Sequence, residues 1–168
     1  MLLLALGLVV VGGAATLFVA GRLGWLAGTP PADLGVRDGR LKPPSATRNS
    51  VSSQAALYPD APQRSYAEIA PLRCAGAPEA AMARLVEVLG AMPGATIVEA
   101  RPAYLYARFT TRWLRFVDDV EFLAAPAEGV IHVRSASRLG REDLGTNRRR
   151  IEAIRAACGE ARRGAVHD

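Results

Sequence analysis

The N-terminal segment is the feature that most constrains what this chain can fold into. Residues 1–21 carry no ionisable side chain, and Thr16 is the only polar side chain among them. As a helix the segment would measure roughly 30 Å, at about 1.5 Å per residue, which is the thickness of the hydrocarbon core of a bilayer. We therefore predict a transmembrane anchor over residues 1–21, with Trp25 as an interfacial aromatic residue just beyond it.

Two other interpretations fit this segment less well. A cleaved signal peptide usually has a basic start, a shorter apolar stretch and a small-residue cleavage site. Here the first basic residue is Arg22, which follows the apolar run. A helix buried in a soluble core is usually one-sided and shorter. The length and the absence of charge therefore favour an uncleaved anchor.

The flanking charges give a first indication of orientation. Lys and Arg near the ends of a membrane span mark its cytoplasmic side. Arg22, Arg37 and Arg40 follow the segment, whereas only the α-amine precedes it. Taken alone, this bias predicts that the rest of the chain lies in the cytoplasm.

The positive charge of the chain comes almost entirely from arginine. The formal net charge is +5, and Lys42 is the only lysine. Nucleic-acid-binding surfaces usually combine a basic face with aromatic residues or with an element that reads a groove. Here aromatic residues make up 6% of the chain and the arginines are dispersed. We therefore expect no nucleic acid among the partners.

The remaining 147 residues suit one domain and two flanking segments. Residues 22–64 contain six prolines and no sustained apolar period, so we predict a Pro-rich linker and loop. Residues 65–160 are predicted to form an α+β domain, in which a small, mostly antiparallel sheet packs against two helices. Residues 161–168 form a polar tail.

Local patterns predict the elements of this domain. Apolar alternation indicates strands, helical spacing indicates helices, and Gly, Pro and Asp mark their ends. The predicted elements are a strand at 66–70, a helix at 79–89, strands at 95–99 and 104–110, a hairpin of strands at 116–123 and 130–134, and a final helix with Asp143 as its N-cap.

Matching apolar side chains across the hairpin predicts its register. Alternation along the first strand places Asp118 and Asp119 on opposite faces, so they cannot act as a facing pair. The same register gives favourable pairs of opposite charge. The predicted pairs are Phe122 with Ile131, Val120 with Val133, Glu121 with His132, Asp119 with Arg134, and Asp118 with Ser135.

Polar residues concentrate where the hairpin is expected to meet the last helix. A carboxylate at the edge of an apolar face needs a partner, and for Asp118 a bidentate one is available from Arg138 or Arg148. This region is either a pocket whose arginines bind an anionic group or a buried ion-pair network that fastens the hairpin to the helix. The candidate residues are Asp118, Asp119, Glu121, Arg134, Ser135, Ser137, Arg138, Asn147 and Arg148.

A second candidate region lies within the predicted linker. It is dense in short hydrogen-bonding side chains, which indicates either a ligand-binding loop or a turn-rich loop that caps itself. Its candidate residues are Asn49, Ser52, Ser53 and Gln54.

The residues carry no catalytic or metal-binding signature. The only histidines are His132 and His167, and no spacing typical of metal ligands is present. The serines lack a nucleophile-elbow context, and no Gly-rich phosphate loop follows a strand. We therefore expect neither a metal nor a cofactor.

Five stretches of this chain together form a recognisable set of motifs. They are 116–122 (FVDDVEF), 130–138 (VIHVRSASR), 143–148 (DLGTNR), 33–36 (DLGV) and 49–54 (NSVSSQ). Over roughly residues 33–158 the chain resembles the domain of unknown function 1499 family. That family is found in bacteria and plastids, often with a signal or anchor, and has no established activity.

The resemblance also bears on location. Members of the family commonly carry two cysteines at positions where this chain has Pro44 and Ser50. A pattern that resembles a disulfide implies an oxidising, extracytoplasmic compartment. The cysteines of this chain, Cys74 and Cys158, either form a disulfide or are two separate small core residues. We weigh the family pattern above the arginine bias and predict a single-pass protein of the bacterial inner membrane, with its domain on the periplasmic side.

Two functions of different classes remain open. The first is a membrane-anchored envelope binding or accessory module, whose partner is an unknown small anionic ligand or an envelope protein. The alternative is a hydrolase or lyase acting on an anionic envelope or lipid metabolite, with Asp118 as base and Arg138 or Arg148 holding the substrate. The alternative requires an accessible Asp118.

Overall fold

The structure is a computed structural model that describes residues 2–73 and 78–160. A long N-terminal helix comes first, and four consecutive strands in the second half of the chain precede the last helix. The helices are α1 (Leu2–Arg22), α2 (Arg64–Ala67), α3 (Pro78–Ala91) and α4 (Thr146–Glu160), and the strands are β1 (Ser50–Ser52), β2 (Ala95–Ala100), β3 (Tyr104–Thr110), β4 (Val117–Ala125) and β5 (Val130–Ser137).

The five strands form one antiparallel sheet in the order β1-β5-β4-β3-β2. Helices α3 and α4 pack on one face, which confirms the predicted α+β class and the pairing of an antiparallel sheet with two helices. The core between them is fully apolar at its centre and removes large side chains from water. It includes Leu85, Leu89, Phe122, Val133, Ile151 and Ile154.

The other face of the sheet is covered by residues 33–46, which we call the strap. Leu41 of the strap is buried against Tyr104 and Leu123, and the Gly35 N–H donates to Glu121 on β4. Strand β1 follows the strap and pairs with the edge of β5. Part of the segment predicted as a Pro-rich linker therefore contributes to the folded domain.

Helix α1 runs into the domain at its C-terminal end. A Cβ atom at Gly21 would lie 2.5 Å from the carbonyl oxygen of Leu114, so the last turn touches the loop between β3 and β4. Further back, Val9, Val10 and Val11 are exposed. The predicted transmembrane anchor is not confirmed, because within residues 2–73 and 78–160 no helix is both long and apolar enough to cross a membrane.

The local predictions hold for most elements and fail for one. Helix α3 and strands β2 and β3 confirm the predicted helix at 79–89 and strands at 95–99 and 104–110. The predicted strand at 66–70 is wrong, because its first half continues the short helix α2. The Ala67 N–H donates to Gln63 and the Glu68 N–H to Arg64. Alternation of apolar and polar residues over only five positions is a weak signal for a strand. Here the helical turn buries Ala67 completely.

The hairpin forms as predicted but with its register displaced by two residues. Strand β4 continues to Ala125, opposite Val130, because a 3₁₀ turn over Pro126–Glu128 and a left-handed Gly129 close the hairpin tightly. A shift of two leaves every side chain on its predicted face. The observed pairs include Phe122 with Val133, Glu121 with Arg134, Val120 with Ser135, Asp119 with Ala136, Leu123 with His132 and Asp118 with Ser137.

Candidate functional site

The candidate residues of the hairpin divide between the two faces of the sheet. Asp118, Ser135 and Ser137 lie on the face that carries α3 and α4, whereas Asp119 and Glu121 lie on the strap face. The prediction that Asp118 and Asp119 lie on opposite faces of the strand is confirmed. The candidates therefore form two separate clusters rather than one pocket.

Arg150 organises the cluster on the helix face. Its guanidinium forms an ion pair with Asp118 and donates from Nη1 to Ser135 Oγ at 2.9 Å and to Asn147 Oδ1 at 2.7 Å. It also lies over the ring of Phe109, 4.8 Å from the centroid. Asp118 is only 4% exposed, so this pair is removed from bulk water.

Asn147 extends the network to the start of α4. Its Nδ2 donates to the Asn49 carbonyl at 3.1 Å, to Ser137 Oγ at 3.0 Å and to Asp143 Oδ2 at 2.8 Å. Asp143 was predicted as the N-cap, but the helix begins three residues later, at Thr146. Asp143 Oδ2 nevertheless accepts the Asn147 N–H at 2.8 Å and so satisfies a donor of the first helical turn. Burial alone would raise the pKa of Asp143, but hydrogen bonds from Tyr66 and Asn147 hold it below its usual range.

Most of the polar atoms in this network have hydrogen-bond partners within it. Asn49 Nδ2 donates to the carbonyl of Gly140 at 2.8 Å, although Asn49 Oδ1 is buried without a hydrogen-bond partner in the described structure. Buried polar groups joined in this way fix one arrangement of the elements that carry them. On this face the contacts match the plainer of the two interpretations, a network that fastens the hairpin to the last helix.

The partners proposed for Asp118 from the sequence were wrong. Arg138 binds Asp119 on the other face, and Arg148 donates to the carbonyls of Tyr66 and Glu68 at 2.7 and 2.8 Å. The partner is Arg150, which sequence reasoning missed. Its position three residues after Asn147 was the available signal, because residues at that spacing share a helix face.

On the strap face, Asp119 is held by a bidentate arginine. Arg138 Nε donates to Oδ2 at 2.9 Å and Nη2 to Oδ1 at 2.7 Å, and the Tyr106 hydroxyl donates to Oδ1 at 2.6 Å. The bond to Asp119 raises the pKa of Arg138. Burial, followed by the bond to Asp119, raises the pKa of Tyr106 to about 12. The charged and hydroxyl groups of this second cluster therefore also bind one another.

The pair formed by Glu121 and Arg134 is less complete. Glu121 is 0% exposed, and its Oε1 accepts the Gly35 N–H at 2.8 Å and the Tyr104 hydroxyl at 2.9 Å. Its Oε2 has no hydrogen-bond partner in the described structure, since Arg134 Nη1 lies 3.6 Å away. Burial raises the pKa of Glu121.

Arg134 faces both the strap and a cavity. The residue is 3% exposed, and its Nε donates to the Pro43 carbonyl at 3.2 Å. Burial lowers the pKa of Arg134, although Glu121 acts in the opposite direction. The guanidinium borders a cavity of about 430 Å³, the strap pocket, whose other charged or hydroxyl-bearing lining side chains are Asp33, Arg37, Arg40, Lys42, Ser45 and Tyr58.

A tight turn in the strap places two of these cations side by side. Asp38 and Gly39 both have positive φ, of 50° and 71°, and Arg37 and Arg40 exchange two backbone hydrogen bonds of 2.9 Å. This is the geometry of a two-residue hairpin, for which Asp-Gly is a preferred sequence. The pocket was missed because its strap residues lie in a segment predicted as linker, although the Arg-Asp-Gly-Arg sequence carried the turn signal.

The second candidate region supports the strap. Gln54 Oε1 accepts the Leu41 N–H at 2.8 Å, and its Nε2 donates to the Gly39 carbonyl at 3.3 Å. Ser53 Oγ accepts the Val133 N–H at 2.9 Å, and Ser52 Oγ accepts the N–H of Gln54. These contacts hold the strap against β1 and β5, so the region positions the pocket without lining it.

The two cysteines were predicted either to form a disulfide or to be separate core residues. Cys158 is buried in the main core, whereas Cys74 lies outside the described residues. Their pairing therefore stays a prediction. Over residues 2–73 and 78–160, no group of three or more His, Cys, Asp or Glu side chains is arranged to hold a metal ion.

Comparison with known proteins places these clusters within one family. The family model described as "Protein of unknown function (DUF1499)" matches residues 40–158. The chain belongs to the DUF1499 family. The DUF1499 region includes the whole sheet, the Arg150 network, and Arg40 and Arg134 of the strap pocket. No curated protein and no solved structure matches the chain.

Proposed function

We propose that this DUF1499 protein is a binding or accessory module that takes a small anionic group, a carboxylate or a phosphate, in the strap pocket. The observation that carries the proposal is the buried guanidinium of Arg134, which borders this cavity of about 430 Å³. Arginine presents a planar fork of donors that matches carboxylate and phosphate oxygens. The proposal keeps the predicted class of ligand but moves the site to the strap face.

The charges around the pocket favour an anion. Arg37, Arg40, Lys42 and Arg134 contribute four cations. The acidic groups beside them are Asp33, which binds Lys42 at 2.6 Å, and Glu121, which lies behind Arg134. The 3.6 Å separation of Arg134 and Glu121 is longer than a hydrogen bond, so this pair leaves hydrogen-bonding capacity on the guanidinium. The site therefore carries two positive charges in excess.

The hydrolase or lyase alternative receives no support from the surroundings of Asp118. A general base must be able to reach the proton that it removes. Asp118 is buried and bound to Arg150, and Arg138 and Arg148 are engaged elsewhere. We therefore favour binding over catalysis at this junction.

We further propose that α1 attaches the module to the bacterial inner membrane, with the domain on the periplasmic side. The support is the uncharged sequence of residues 1–21 and the exposed apolar side chains of α1. Extraction of cell membranes with alkaline carbonate tests the attachment, and protease digestion of spheroplasts tests the side. Release of the protein by carbonate would contradict the attachment.

The strap pocket is tested by titrating the full chain, in mild detergent, with inorganic phosphate and with acetate by calorimetry. Arg37→Ala and Arg40→Ala are suitable variants because both side chains are exposed and neither is part of the core. We expect each to weaken anion binding about tenfold, the amount that a charge-assisted hydrogen bond contributes.

Arg64→Ala is the matched control, because Arg64 is an exposed arginine of α2 that does not line the pocket. The control should bind as tightly as the unmodified chain. Equal affinities for Arg37→Ala, Arg40→Ala and the control would place the anion elsewhere, and no binding of either anion at millimolar concentration would refute the proposal.

A further inference from the structure

A second group of cations lies at the end of the domain where α1 arrives. Two adjoining cavities, of about 550 and 340 Å³, share Thr110 and Arg115. Arginines from α1, from β3, from the loop between β3 and β4, and from α4 border them. These are Arg22, Arg108, Arg112, Arg115 and Arg150.

Four of these five arginines have no counter-charge among the described residues. Arg150 is neutralised by Asp118. Among the described residues, no carboxylate lies within ion-pair distance of the other four, and none lines either cavity. Four unpaired guanidinium groups at one end of a small domain produce a positive potential that attracts anions.

The loop between β3 and β4 holds two of these arginines outward. The Thr111 N–H donates to the Phe116 carbonyl at 2.9 Å, and the Phe116 N–H donates to Thr111 Oγ1 at 2.9 Å, so residues 112–115 form the tip of a closed loop. Arg115 has a φ of 59°, in the left-handed region that non-glycine residues rarely adopt. Such a conformation persists only where the surrounding structure imposes it.

The same tip carries an exposed aromatic residue. Trp113 is 62% exposed, and the Arg112 guanidinium lies over its ring at 5.0 Å from the centroid. Leu23 and Trp25, just after α1, are also exposed. Tryptophan beside arginine is the combination found where proteins meet lipid headgroups, because the ring is amphipathic and the cation binds phosphate.

The position of α1 indicates which surface the tip meets. Its last turn touches Leu114 of the same loop, so the apolar helix leaves the domain beside the arginines. We propose that this end of the domain, the basic tip (Arg22, Arg108, Arg112, Trp113 and Arg115), binds the phosphate groups of anionic phospholipids. The inference rests on the proposed attachment through α1 and concerns a site separate from the strap pocket.

The test uses Trp113 as the reporter. The chain has two tryptophans, so the full-length Trp25→Phe variant leaves Trp113 alone. This protein is reconstituted into phosphatidylcholine vesicles that contain equal fractions of phosphatidylglycerol, with bromine on the acyl chains of one lipid or the other. We expect brominated phosphatidylglycerol to quench Trp113 at least threefold more strongly than brominated phosphatidylcholine, because arginines near a membrane surface enrich anionic lipid around them.

Arg112→Ala with Arg115→Ala should reduce that quenching ratio to about one. Both side chains are exposed, so the fold is expected to survive, which circular dichroism checks. The control pair is Arg64→Ala with Arg73→Ala, two exposed arginines that line neither cavity. The control pair should keep the preference of the parent.

The outcomes separate this inference from the proposals on which it rests. Equal quenching by the two lipids in protein that floats with the vesicles would overturn headgroup recognition and leave the attachment standing. Protein that does not float would overturn both. If 10 mM inorganic phosphate removed the preference and shifted Trp113 emission equally in phosphatidylcholine vesicles, the ligand would be free phosphate, and the lipid assignment would be wrong. Anion binding in the strap pocket is measured independently of all three.

Discussion

Replacing Arg150 by methionine tests whether the network beneath α4 holds the helix to the hairpin. Methionine keeps much of the length of the aliphatic side chain but removes the guanidinium, which lies over the Phe109 ring. The Asp118 carboxylate is then left buried without its ion-pair partner, and Ser135 Oγ loses a donor. The change thus isolates the electrostatic part of the contact.

The structure sets the expected magnitude. Both side chains of the pair are less than 10% exposed, so solvent screening is weak. Breaking a buried ion pair by removing one partner costs about 3–5 kcal/mol, and we expect about 4 kcal/mol for Arg150→Met. Because domains of this size are stabilised by about 5–15 kcal/mol in total, such a loss is large.

A second replacement distinguishes the lost pair from lost packing. Adding Asp118→Leu removes the orphaned charge and puts an apolar side chain opposite Phe109 on the neighbouring strand. Apolar replacement of a buried ion pair is often neutral, so the double variant should lie within about 1 kcal/mol of the unmodified chain. Arg149→Met, at the exposed neighbouring position, should change stability by about 0.5 kcal/mol or less.

The free energy of unfolding is measured by urea denaturation in a fixed mild detergent, followed by circular dichroism. A cost below about 1 kcal/mol for Arg150→Met would refute the argument that this pair is buried and coupled. A double variant as unstable as Arg150→Met alone would show that the loss came from packing.

Two further predictions concern the start of α4 and a close backbone contact. Asp143 has a lowered pKa, so it stabilises the fold above the unfolded value of 3.8 and loses that contribution as the pH falls through the folded pKa. Both carboxylate oxygens accept hydrogen bonds, and Asp143→Asn replaces one of them by an amide nitrogen that cannot accept. The variant should therefore lose about 1–2 kcal/mol at pH 7, and its difference in stability from the unmodified chain should narrow below about pH 4 in urea titrations. Equal losses at pH 3 and pH 7 would refute that linkage. Gly94 has a φ of 78°, and a Cβ there would lie 2.5 Å from the Thr110 carbonyl oxygen. Gly94→Ala should therefore lower the free energy of unfolding by about 2 kcal/mol or more, measured by thermal unfolding. Gly90→Ala, in open space on α3, should instead stabilise by up to about 1 kcal/mol, and a similar loss at both glycines would contradict the reasoning.

Local sequence patterns were sufficient where an element is specified by its own residues. Helix α3 and strands β2 and β3 follow from spacing and from turn residues. The role of Asp143 at the start of α4 also followed, although the helix begins three residues later than predicted. The faces of β4 also followed, because alternation alone separates Asp118 from Asp119. The register of the hairpin did not follow, since a shift of two residues preserves both faces and is decided by the turn at Gly129.

The candidate site was predictable in composition but not in arrangement. The sequence identified the polar residues of β4, β5 and α4, and it indicated an uncharged N-terminal helix and the family. It did not indicate which arginine meets which carboxylate, because that depends on how α4 is rotated against the sheet. Nor did it indicate the strap pocket, since Arg40 and Arg134 are 94 positions apart and line one cavity only when the strap crosses the sheet. Contacts between residues that far apart leave no local periodicity, so only the tertiary structure decides them.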